Sequence, residues 1–75
     1  MSRFPTLRAN EPVKFLKAHG YVEYWQLGSH LILWHPRQSK PVSVPIHTGH
    51  DIGRRLALQI LKESGFTAGD FLNWR

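Results

Sequence analysis

The sequence contains no cysteine, so no disulfide braces it, which fits a reducing compartment. Acidic residues are scarce. Five Asp and Glu stand against ten Lys and Arg, for a net charge of +5 and a pI near 10.3. That imbalance predicts attraction to nucleic acid, to an acidic protein or, weakly, to an anionic membrane surface. No apolar run approaches the roughly 18 residues that a membrane-spanning helix needs. Met1-Ser2-Arg3-Phe4-Pro5 lacks the apolar stretch of a secretory signal, so a cytoplasmic location is expected. Neither repeats nor low-complexity tracts are visible. What is present is a globular composition, 41% hydrophobic with three tryptophans, which argues against disorder beyond the ends. A chain of 75 residues makes one domain, 1–75, with a thin core.

Residues 1–9 read as a loose lead-in. Asn10 suits an N-cap and Pro12 a first helical turn, which predicts a helix from about Glu11 to His19, closed by Gly20. Val13, Phe15, Leu16 and His19 fall on its apolar side and Lys14 and Lys17 on the other. Tyr21–Leu27 alternates as a strand, with Val22, Tyr24 and Gln26 on one face and Tyr21, Glu23, Trp25 and Leu27 on the other. Gly28-Ser29 breaks the run. His30–His35 is a second strand, with His30, Ile32 and Trp34 opposite Leu31, Leu33 and His35. After the polar turn Pro36–Lys40, a third strand over Pro41–Ile46 aligns Val42, Val44 and Ile46, and its prolines place it at an edge or end it at Pro45. A second helix is expected from about Asp51 to Ser64, closed by Gly65, with Ile52, Leu56, Ala57, Ile60 and Leu61 buried. Thr67-Ala68-Gly69-Asp70 has the form of a capping box that opens a short last helix. The architecture expected is α+β: a three-stranded antiparallel sheet with helices on one face and the other face partly open.

Gly20-Tyr21, Gly28-Ser29-His30, Val42-Ser43-Val44-Pro45-Ile46-His47 and Ile60-Leu61-Lys62-Glu63-Ser64-Gly65-Phe66 occur in that order. Together they resemble the HicA mRNA interferase toxins, also called YcfA-like, over about residues 11–72. The resemblance implies an α-β-β-β-α fold like the double-stranded-RNA-binding domain. It implies ribonuclease activity on mRNA that depends on the histidine of the Gly-Ser-His triplet, here His30, and neutralisation by a HicB-type antitoxin. Two positions depart from the family pattern: Leu27 stands where a basic residue is usual, and Arg55-Leu56-Ala57 where Gly-Thr-Leu is frequent.

The candidate residues follow. Imidazole takes and gives protons near neutral pH, and RNA carries a 2′-hydroxyl beside each phosphate, so a histidine acting as base needs no metal. By spacing alone His30 reads rather as an ordinary strand histidine; with the resemblance it is the candidate catalyst. Ser29 is either a phosphate donor or a turn residue, and Gly28 either admits a phosphate close to the backbone or shapes a hairpin. His47 and, less so, His50 precede a helix N-terminus, itself an anion site. Lys14, Lys17, Arg37, Lys40, Arg54, Arg55 and Lys62 are candidate phosphate contacts or a solvated surface. Tyr24, Trp25 and Trp34 either stack bases on an open sheet face or, for at least two of them, belong to the core. His35 reads as surface and His19 as structural. The pairs His30/His35 and His47/His50 have ligand-like spacing but lack the cysteines or carboxylate of structural zinc sites, so no metal and no cofactor is expected. The functions in contention are an antitoxin-controlled mRNA endoribonuclease, a non-catalytic RNA-binding module, and a protein-interaction domain.

Overall fold

The computed structural model describes residues 7–8, 10–38, 40–46 and 51–75. In chain order the elements are β1 (Leu7–Arg8), α1 (Asn10–Ala18), β2 (Val22–Leu27), β3 (His30–Trp34), β4 (Val42–Pro45), β5 (Asp51–Ile52), α2 (Arg54–Glu63) and α3 (Ala68–Trp74). The expected α+β class and the α-β-β-β-α succession are both present. Strands β2, β3 and β4 form an antiparallel three-stranded sheet in that spatial order. Strand β4 is therefore an edge, and Pro45 is its last residue, as a proline without an N–H requires.

Both long helices stop at the glycines that the sequence marks. After α1, Gly20 has φ +98°, its N–H bonds to Lys17 and that of Tyr21 to Leu16. After α2, Gly65 has φ +85°, its N–H bonds to Lys62 and that of Phe66 to Leu61. Each is a Schellman ending, in which a residue at positive φ turns two trailing N–H groups back onto orphan carbonyls. The last helix opens on a true capping box. Asp70 N–H donates to Thr67 Oγ1 at 3.1 Å and Thr67 N–H to Asp70 Oδ2 at 2.8 Å. Aspartate fills the place usually held by Glu or Gln.

Helices and sheet meet through Phe15 and Leu16 of α1, Leu31 and Leu33 of β3, Val42 and Val44 of β4, and Ala57, Ile60 and Leu61 of α2, all buried. Phe71 of α3 closes the end of this core, its ring 5.3 Å from that of Phe15. His19 is structural, as expected: Nδ1 is 2.8 Å from the Phe15 carbonyl and the ring packs on Phe15 and Phe66.

Several expectations need correction. Leu7 and Arg8 are not loose. They pair antiparallel with Asp51 and Ile52, and Leu7 and Ile52 are buried. Helix α2 accordingly begins at Arg54, after an extended Gly53. Ile52 is buried from a strand rather than from the helix, and Leu56 is 38% exposed. The faces of β2 also change partway along. Its register is Val22 to Trp34 and Glu23 to Leu33, then Trp25 to Ile32, Gln26 to Leu31 and Leu27 to His30, with Tyr24 as the extra residue of a bulge. One inserted residue reverses the alternation beyond it. Val22, Trp25 and Leu27 therefore share the open face with His30, Ile32 and Trp34, while Glu23 and Gln26 share the helix side with Leu31 and Leu33. Finally, every residue of β2 is exposed because the strand overhangs the helix layer. Tyr24, Trp25 and Trp34 are 68%, 62% and 38% exposed, so none of the three is core.

Candidate functional site

The hairpin Leu27-Gly28-Ser29-His30 sets the site. Leu27 and His30 face each other across a two-residue loop. Gly28 has φ +59° while no non-glycine residue among those described has positive φ. That is the sign pattern of a type II′ turn, which matches the twist of the strands and calls for glycine at its first central position. Gly28 is thus a turn-shaping residue. Ser29 is half-buried, and its carbonyl accepts the N–H of Ile46 at 2.7 Å, which ties the turn to the end of β4.

His30 opens β3 and is exposed. It lies opposite Pro45 on the open sheet face, since its neighbour Leu31 is buried on the helix side. His30 lines a cleft of about 480 Å³. The sheet contributes His30, Ser43 and Pro45, and β5 with the following residue contributes Asp51 and Gly53. Helix α2 contributes Leu56, Gln59 and Glu63, spaced so that they fall on one helical face. Gln59 Nε2 donates to Glu63 Oε2 at 3.3 Å. Sequence reasoning does not single out Ser43, Asp51, Gln59 or Glu63. Ser43 and Glu63 do lie inside the family-like segments, but only the packing of α2 beside β4 brings them to His30.

A second hollow, apolar and open, lies on the same sheet between Val22, Tyr24, Trp34 and Pro41. The open face thus carries a histidine at one end and aromatic rings along its length.

The candidate cations are dispersed. Arg54 and Arg55 open α2 next to Gly53. No acidic side chain stands in that first turn, and Gly53 supplies no side-chain cap, so this helix end has unspent N–H groups and added positive charge. Lys62 is one stripe along from Arg55, seven residues on, and exposed. Arg37 and Lys40 lie beyond the other end of β3, roughly 13 Å along the strand from His30. Lys14 and Lys17 are on α1, in the helix layer, and Lys17 is ion-paired with Glu23. His35 is not plain surface: its Nδ1 accepts the N–H of Arg37 at 3.0 Å and its ring meets that of Tyr21 at 5.1 Å. His47 and His50 lie outside the described residues. Among the described residues no group of three or more His, Cys, Asp or Glu is arranged to hold a metal ion, and no helix is long and apolar enough to cross a membrane.

The fold and its exposed hairpin histidine define a small basic α+β protein with a helix layer on one sheet face and a cleft of mixed polar and apolar lining at the sheet's edge. The chain belongs to the HicA toxin family of bacterial toxin–antitoxin systems, whose model matches residues 9–66. No curated protein and no solved structure matches it.

Proposed function

We propose that this toxin is a metal-independent endoribonuclease that cuts mRNA and so inhibits translation in the cytoplasm, with His30 as its general base, and that a HicB-like antitoxin neutralises it. The observation that carries this is the position of His30: exposed, on the open sheet face, at the rim of the cleft. The imidazole removes the proton of a ribose 2′-hydroxyl. The 2′-oxygen then bonds to the adjacent phosphorus, the bond from phosphorus to the 5′-oxygen breaks, and that oxygen takes a proton from solvent. The products are a 2′,3′-cyclic phosphate and a 5′-hydroxyl. A well-placed base of this kind contributes about 10²–10⁴-fold.

Arg54 and Arg55 at the start of α2 hold phosphates beside the mouth of the cleft rather than inside it, and Lys62 extends that field. Lys14, Lys17, Arg37 and Lys40 widen the positive surface that an approaching polyanion meets. Gly28 and Ser29 hold His30 in place, and His47 follows β4 in the chain as a further phosphate contact. Tyr24, Trp25 and Trp34 give unpaired bases a surface to stack on, which favours single-stranded RNA. An acidic antitoxin that covers His30 would block the site and associate quickly by charge steering.

Induced expression in a bacterial host tests this. The wild-type chain is expected to arrest growth and deplete mRNA, and His30→Ala, shown to be folded, to do neither. Arrest by both proteins alike would exclude His30 from the activity.

A further inference from the structure

We infer that the cleft beside His30 is a nucleobase subsite that selects guanine at the nucleotide next to the scissile bond, with Glu63 as the selecting group, oriented by Gln59; this rests on the ribonuclease assignment. The chemistry of the walls excludes the phosphate as occupant. Asp51 and Glu63 both face the cleft, and two carboxylates repel a phosphate. Leu56 and Pro45 supply apolar surface, as the flat faces of a base require. A volume of about 480 Å³ lies within the range of small-molecule pockets.

Helix stability does not explain Glu63. It stands in the last turn of α2, where a negative charge opposes the helix dipole. Among the described residues it takes part in no ion pair. The hydrogen bond that Glu63 Oε2 accepts from Gln59 Nε2 orients the carboxylate and leaves Oε1 and the remaining lone pair of Oε2 as two acceptors side by side. Two acceptors side by side match a base edge with two donors side by side. Guanine has this in N1–H and N2–H₂. Adenine offers one donor beside one acceptor, cytosine one donor beside two acceptors, and uracil one N–H between two acceptors. Recognition of splayed-out bases on such edges is the usual way in which RNA sequence is read.

The test is to cut a random single-stranded RNA pool with purified wild type, Glu63→Gln and His30→Ala, and to sequence the ends. Binding of guanosine, adenosine, cytidine and uridine 3′-monophosphates to His30→Ala is followed in parallel by NMR. Wild type is expected to enrich guanine at one position beside the cut. Glu63→Gln is expected to lower that enrichment roughly 10-fold while still cutting. Guanosine 3′-monophosphate is expected to shift the Gln59 and Glu63 resonances more than the other three. His30-dependent cutting with no guanine enrichment, or enrichment unchanged in Glu63→Gln, overturns the subsite and leaves the ribonuclease standing. No His30-dependent cutting removes the ribonuclease. In that case equal or absent shifts with the four nucleotides also remove the base site, whereas a guanosine preference retains it as a binding site.

Discussion

A Cβ on Gly20 would stand 2.7 Å from Nε2 of His35, so the turn after α1 and the end of β3 are closed against each other through one imidazole. The same ring accepts the Arg37 N–H and packs on Tyr21. Gly20→Ala therefore combines two costs: the positive φ of +98°, about 1–2 kcal/mol, and the displacement of His35. Gly28→Ala has only the first, because nothing lies within 4 Å of its Cβ position. Thermal unfolding is expected to show the larger drop for Gly20→Ala. In a His35→Ala background that drop should shrink towards the Gly28→Ala value. Strict additivity would show that the close approach of Gly20 to His35 carries nothing.

These turns are legible in the sequence because each depends on a residue type with one strong local role. Gly20 and Gly65 end helices at the positions read for them, Gly28 turns the hairpin, and Thr67 and Asp70 cap α3. What is not legible depends on partners distant in sequence. Leu7 and Ile52 form two-residue strands, too short for any periodicity to show, and each is extended because the other is. The bulge at Tyr24 has no glycine or other local marker, yet it exchanges the faces of Trp25, Gln26 and Leu27. Within the candidate site, the Gly-Ser-His triplet points to His30. Nothing local points to Gln59 and Glu63, because on their own helix they are ordinary exposed polar residues.

Tyr21 gives the fold an alkaline limit. Burial raises its pKa above 10.0, and its hydroxyl donates to the Ser64 carbonyl at 3.3 Å. A raised folded-state value means that the neutral phenol is preferred in the native protein. Its contribution is full below the unfolded value and is lost as pH rises through the folded one. Tyr21→Phe should cost roughly 0.5–1.5 kcal/mol at pH 7. It should also reduce the loss of stability above about pH 10, as read from urea unfolding between pH 7 and 11. A variant with the same alkaline slope as wild type would show that another group sets the limit.

The two ends of β3 should behave differently towards RNA. Arg54→Ala/Arg55→Ala removes charge beside the cleft and should slow the cutting of even a trinucleotide. It should also reduce the salt dependence of binding by about 0.7 in log–log slope for each phosphate no longer neutralised. Arg37→Ala/Lys40→Ala should weaken binding of longer RNA only, because a trinucleotide held at His30 does not reach that turn. Equal effects of both pairs on the trinucleotide would place its phosphates elsewhere.

The most direct measurement is cleavage of a defined single-stranded RNA in EDTA by wild type and by folded His30→Ala. The structure and the 2′-hydroxyl chemistry predict cutting by wild type, ends bearing a 2′,3′-cyclic phosphate, and no cutting by the variant. Equal cutting by both proteins, or salt-sensitive binding with no cutting by either, would contradict His30 as the base of a ribonuclease.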